Sequence, residues 1–221
     1  MRSEFDPQGT IVVERSRIAD YITLTKPELT FLSVVTALAG CYLASASQVS
    51  LPTLFHVFLG TALIGGGLGA LNQFLERDYD ALMRRTENRP LPSGRLTPGE
   101  VLVFGVATSL LGIADLTIFT NLLTGFLAVV TVVTYLFLYT PLKRLTPLST
   151  ILGGIPGALP PVMGWTAVRN ELSNEALVLF AILFFWQMPH FFSLAWMYRK
   201  DYARAGYRML TVLDNSGSRT S

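Results

Sequence analysis

Asn72, Glu76 and Asp80 stand four residues apart in "LNQFLERDYD", at the end of a long apolar run. On a helix of 3.6 residues per turn, that spacing lays one amide and two carboxylates along a single face. Asp78 falls nearly opposite. Amide and carboxylate oxygens are hard ligands, and Mg²⁺ commonly binds through one or two carboxylates together with substrate phosphates. Arg84, Arg85 and Arg89 follow in a stretch that can fold back over the stripe. Arginine suits two-point contact with phosphate. Carboxylates, a metal ion and arginines are together what a site for a diphosphate leaving group needs. The same charges could also be a solvated helix end with no chemistry, but that leaves the stripe unexplained, because it begins at Asn72, still inside the apolar run. A second polar cluster, "MYRKDYARAG", carries Tyr198, Lys200 and Asp201 after the last apolar run. Two acidic clusters on one side of a membrane could hold a metal-bridged diphosphate between them.

The elements that must position these residues are apolar. Charged residues make up 14% of the 221-residue chain and hydrophobic ones 51%, against roughly 25% charged in ordinary soluble domains. Six apolar runs lie at about 28–46, 54–75, 101–119, 122–140, 150–168 and 176–197. Each approaches the roughly 20 residues a helix needs to cross a bilayer. Bilayer hydrocarbon leaves backbone groups no partner except each other, so helices are expected. A soluble helical protein would show polar faces at helical spacing, and "FGVATSLLGIADLTIF" shows almost none. The expected fold is therefore all-α, a polytopic membrane helical bundle. The fifth run, "TILGGIPGALPPVMGWTAV", reads as a kinked span, its small residues allowing close helix packing.

Every lysine and arginine except Arg169 falls before the first run, after the second, after the fourth or after the last. By the positive-inside rule those segments, which hold both polar clusters, face the cytoplasm. A net charge of +2 is too small to argue for nucleic acid, and the single cysteine, Cys41, excludes a disulfide or thiolate-metal framework within the chain. The first twenty residues lack the apolar core of a signal peptide and read as a polar lead-in.

The Asn72, Glu76, Asp80 stripe resembles the NxxxDxxxD motif of the UbiA superfamily of intramembrane prenyltransferases. Together with "LTKPELT", "YTPLKRLTPLSTILGGIPGALPPVMGW" and "FWQMPHFFSLAWMYRKDYARAGYRML", the chain from about residue 20 onward is similar to the protoheme IX farnesyltransferases of that superfamily. The resemblance implies Mg²⁺-assisted loss of diphosphate from farnesyl diphosphate and capture of the allylic cation by a vinyl group of haem B, giving haem O. Haem B is then a substrate. It also implies a lipid bilayer environment, the bacterial inner membrane, and downstream haem-modifying or oxidase-assembly proteins as partners.

The resemblance makes Asn72, Glu76, Asp80 and Asp201 the catalytic metal ligands. It makes Arg84, Arg85, Asn88, Arg89, Lys26, Lys200 and Tyr198 diphosphate contacts. His190, in an apolar run where an ionisable residue is costly, is a candidate haem contact, with a neutral hydrogen-bonded histidine as the alternative. Glu76 stands where the family usually has Asp, and Ala205 where the second motif often has a further carboxylate. The superfamily fold has nine membrane helices, so six imply a truncated bundle. The expected organisation is a lead-in at 1–20, an incomplete prenyltransferase domain at 21–210 and a polar tail at 211–221. The competing functions are a prenyltransferase for another aromatic or tetrapyrrole acceptor, an inactive fragment, or a non-catalytic membrane protein.

Overall fold

The computed structural model describes residues 3–5, 11–13, 16–46, 48, 50–207 and 212, so the tail expected at 211–221 lies outside the described residues apart from Val212. The lead-in holds two short strands, β1 (Ser3–Phe5) and β2 (Ile11–Val13), paired antiparallel. The β-branched run at residues 11–13 favours the extended form. Everything after it is helical: α1 (Arg17–Leu24), α2 (Pro27–Ala44), α3 (Leu51–Asp80), α4 (Pro98–Phe119), α5 (Leu122–Val133), α6 (Thr140–Leu142), α7 (Ser149–Arg169), α8 (Asn174–Met197) and α9 (Arg199–Arg204). A π-helical segment, Thr134–Tyr139, joins α5 to α6.

Six helices are long and apolar enough to cross a membrane: α2, α3, α4, the α5–α6 unit Leu122–Leu142, α7 and α8. They cover the six runs read from the sequence. Large apolar side chains such as Phe31, Leu110, Phe126, Phe137 and Phe185 point outward from four of these spans, as expected of surfaces solvated by lipid. α3 is the longest, with 30 residues. At 1.5 Å per residue it extends about 45 Å, well beyond a hydrocarbon core of about 30 Å. Its surplus turns carry Glu76 and Asp80.

Lipid tails are as apolar as the helices, so helix association rests on close van der Waals packing. Glycines supply it here. α2 meets α7 where a Cβ on Gly164 would land on the Ala37 carbonyl, and one on Gly40 on the Pro161 carbonyl. α3 meets α4 in the same way, with Gly67 against Ser109 and Gly112 against the Gly60 carbonyl. α7 runs from Ser149 to Arg169 with Pro156, Pro160 and Pro161 inside it, and it is the most buried of the six spans. Each proline removes one helical donor, a loss tolerated where neighbouring helices cover the backbone.

The π-segment has a similar cause. Pro141 has no N–H, and its ring crowds the carbonyl four residues back. The ladder widens instead, and the Thr140 N–H donates to the Tyr135 carbonyl. The Thr140 hydroxyl donates to the same oxygen at 2.9 Å.

Gly164→Ala should push α2 away from α7 and cost about 1–3 kcal/mol, read as a lower unfolding temperature in detergent. Gly99→Ala, which meets nothing within 4 Å, should not lower it.

Candidate functional site at the C-terminal end of α3

The stripe on α3 is buried. Asn72, Glu76 and Asp80 are each at most 4% exposed, whereas the Asp78 side chain is 80% exposed. The helical spacing therefore sorted inward carboxylates from the outward one correctly. Carboxylates this buried need partners, and cations arrive from three distant segments. Lys143 Nζ donates to Glu76 Oε1 at 2.9 Å. Arg89 Nη1 donates to Asp80 Oδ2 at 2.7 Å. Lys26 Nζ donates to Asn72 Oδ1 at 2.5 Å, and Asn72 Nδ2 donates to Glu76 Oε2 at 2.9 Å. One connected network thus runs from Lys26 through Asn72 and Glu76 to Lys143.

Each cation is aimed by local structure. Lys26 sits between α1 and α2 with φ 46° and ψ 63°, a left-handed conformation that costs a non-glycine residue free energy. Surrounding contacts hold it there. Gln73 Nε2 donates to the Leu24 carbonyl at 3.2 Å, and Arg95 pairs with the buried Asp20 of α1 at 2.9 Å. Pro27 then starts α2. Lys143 caps α6, one short turn after the π-segment, with its Nζ 4.4 Å from the centre of the Tyr139 ring. Arg89 lies in the turn-rich stretch after α3, which is anchored where the Thr86 hydroxyl donates to the Asp80 carbonyl at 2.8 Å.

The cations differ in electrostatic state. Burial, reinforced by the Arg89 and Lys143 charges against the opposing carboxylates, pulls Lys26 down to about 7. For Lys143 burial acts in the same downward direction, but the Glu76 carboxylate overcomes it and holds the ammonium well above its usual range. Lys26 therefore loses its proton near neutral pH while Lys143 keeps it, and an anion bound beside Lys26 would favour its charged form.

The other expected site residues spread around this network. Arg84, Arg85, Asn88 and Lys200 are exposed. The Arg85 guanidinium lies 4.5 Å from the centre of the Tyr198 ring, which brings the loop after α3 against the start of α9. The Asn88 carbonyl accepts from Arg95 at 2.9 Å. The Asp201 carboxylate pairs with Arg204 on its own helix at 3.6 Å, and among the described residues no ion pair joins it to α3. Nor, among the described residues, do three or more histidine, cysteine or carboxylate side chains gather as a metal-type cluster. The two buried carboxylates and the Asn72 amide are still a hard-oxygen donor set, enough for Mg²⁺ that also takes phosphate oxygens and water.

Three residues of the site were not singled out from the sequence: Lys143, Tyr139 and Tyr207. Tyr207 is buried against Tyr79, ring centres 5.7 Å apart, and docks the segment after α9 on the end of α3. Burial, then the Glu76 and Asp80 charges, push its phenol up. The one available signal for Lys143 was its place as the first charge after the fourth apolar run.

Beside the network a cavity of about 270 Å³ runs into the membrane region between α2, α3, α7 and α8. Lys26 and Tyr139 line its charged end, and Ile64, Leu68 and Pro160 are among the apolar residues along it. His190 lines it from α8, its ring stacked on Trp186 at 6.0 Å. A charged mouth opening onto an apolar pocket suits an amphiphile with an anionic head and a hydrocarbon tail.

Comparison with known proteins agrees with this geometry. Residues 33–221 match the UbiA prenyltransferase family. The chain is 49% identical over 210 residues to the protoheme IX farnesyltransferase of Koribacter versatilis (strain Ellin345), covering 93% of this chain and 67% of that protein. It is 50% identical over 204 residues to the protoheme IX farnesyltransferase of Solibacter usitatus (strain Ellin6076), covering 88% and 70%. Among solved structures, a UbiA homologue from Archaeoglobus fulgidus bound to DMAPP and Mg²⁺ matches with a TM-score of 0.72 at 17% identity, over 88% of this chain and 69% of that one. A UbiA homologue from Aeropyrum pernix K1 matches with a TM-score of 0.72 at 24% identity, over 84% and 70%. These two likenesses concern the fold. The chain is an integral membrane protein and belongs to the UbiA prenyltransferase family.

Proposed function

We propose that this protein transfers the farnesyl group of farnesyl diphosphate to a vinyl group of haem B, giving haem O. The observation that carries the diphosphate half is the buried Asn72–Glu76–Asp80 stripe, ringed by Lys26, Lys143 and Arg89, at the mouth of an apolar cavity. The acceptor and the farnesyl chain rest on the named activity of relatives 49% and 50% identical to this chain.

In this reading the diphosphate lies at the mouth. Lys26 and Arg89 contact it directly, and Arg84, Arg85, Asn88, Lys200 and Tyr198 stand at the rim. Glu76 and Asp80, with Asn72, would hold Mg²⁺, and Asp201 would approach from α9. Mg²⁺, when bound, neutralises charge on the departing diphosphate.

The allylic C–O bond breaks and its electron pair leaves with the diphosphate, whose growing charge meets the fixed cations. The vinyl π electrons form the new carbon–carbon bond to the farnesyl cation. Water then adds to the resulting cationic carbon and releases a proton, leaving a hydroxyl. The apolar walls hold the chain and keep water from the allylic cation until the vinyl group is in place. His190 lines the cavity and is exposed, and in this reading it would contact haem. The asymmetry of lysine and arginine supports a cytoplasmic N-terminus and cytoplasmic site loops, and the source organisms of the named relatives support the bacterial inner membrane.

Membranes carrying this chain, supplied with haem B, farnesyl diphosphate and Mg²⁺, should yield farnesylated haem by mass spectrometry. Chelation should stop the reaction and added Mg²⁺ restore it. Absence of the product would sink the assignment. Asp80→Asn should lower turnover by about a hundredfold or more while the protein still folds.

Lys143→Ala leaves Glu76 buried without its closest cation and should cost about 3 kcal/mol of stability. Lys143→Arg should cost less, and unfolding followed in detergent separates the two.

A further inference from the structure

The far end of the cavity has a defined wall. Thr61 on α3, Thr131 on α5 and Met163 on α7 all line it, and all three are buried. Thr131 and Met163 touch across helices, with the Thr131 hydroxyl 3.6 Å from Met163 Sδ. The Thr61 hydroxyl has no hydrogen-bond partner among the described residues.

Just beyond these positions the helices close on one another. Thr36 lines the cavity, and the next residue, Ala37, meets Gly164 of α7 through its backbone. Met163 lines it, and the next residue is Gly164 itself. On α2 and α7 the change from open wall to helix contact thus takes a single residue.

The depth follows from the helical rise: Thr61 lies eleven residues from Asn72 along α3, about 16 Å at 1.5 Å per residue.

We infer that Thr61, Thr131 and Met163 form the end wall of the prenyl channel and set the longest chain it accepts. The inference rests on the reading of the charged mouth as a prenyl diphosphate site. With the head fixed by Lys26 and Arg89, each added isoprene unit advances the tail toward the wall. A tail that reaches it meets packed side chains with helix backbones in contact behind them. Another route is sideways, between α2 and α8, where the exposed Leu32 and Trp186 line the cavity.

The test is a binding series without haem. Non-hydrolysable thiolodiphosphate analogues of geranyl, farnesyl and geranylgeranyl diphosphate are titrated with Mg²⁺ into the detergent-solubilised protein. Tryptophan fluorescence reports binding, since Trp186 lines the cavity. The farnesyl analogue should bind at least about tenfold more tightly than the geranylgeranyl one. Met163→Ala should close that gap, and Thr61→Leu should shift preference toward geranyl. Thr61→Val, which keeps the shape and removes the hydroxyl, should leave the order unchanged.

Shifts in opposite directions cannot come from general loss of folding, and if Met163→Ala does not fold, Thr61→Leu decides alone. Equal affinity for the two longer analogues in the unaltered protein, through escape between α2 and α8, overturns the inference. So does an unchanged preference in both size variants. Failure to transfer farnesyl to haem would overturn the acceptor assignment and leave this result standing.

Discussion

Two carboxylates buried at the end of a membrane helix must be neutralised, and the arrangement of the chain around α3 follows from that. Glu76 and Asp80 sit where the dielectric is low, and an unpaired charge there is far more costly than one in water. Their cations come from before α2, from the loop after α3 and from the far end of the α5–α6 unit. No two of these segments are adjacent in sequence. Bundle assembly and site formation are therefore one event, because a misplaced helix would leave a buried charge uncompensated. The left-handed backbone at Lys26 fits this view: its local cost is outweighed by a network that the lysine completes.

The apolar part of the bundle answers a different constraint. Helices in lipid gain little from hiding apolar surface from one another, so glycine contacts decide where they close and where they stay apart. The Ala37–Gly164 contact closes the far end between α2 and α7, while α8 is joined to α7 by the Gln187 side chain donating to the Gly154 carbonyl at 2.7 Å. The cavity is what remains between these contacts. The π-segment adds to it by placing Tyr135 and Tyr139 along the wall and Lys143 at the mouth.

The spans, their number and the inward face of α3 were legible in the sequence because each depends on local periodicity: apolar length for the spans, and a four-residue repeat for Asn72, Glu76 and Asp80. Asp78 was correctly set aside by the same geometry. The role of Lys143 was not legible, since its partner lies 67 residues away and its charge served there only to orient a loop. Arg84, Arg85 and Arg89 look alike in sequence, yet only Arg89 reaches a buried carboxylate. That difference arises from how the loop turns, which composition does not encode. The π-segment was equally hidden, although Pro141 marks a place where the helical ladder must give way.

The charge balance of the mouth gives meaning to these details. Lys143, Arg89 and a Lys26 that titrates near neutral pH face two carboxylates, and the three side chains already occupy Glu76 Oε1, Asp80 Oδ2 and Asn72 Oδ1. A bare divalent ion would have to displace these cations from the oxygens while being repelled by them. A diphosphate carrying the same ion is anionic overall. It can draw the lysines and the arginine onto its own oxygens and free the carboxylates for the metal. In the proposed function this network is the resting form of a site whose ligands would exchange partners when substrate arrives, and the charge that Lys26 gains beside a bound anion would favour the metal–diphosphate pair over a lone metal ion or a neutral lipid.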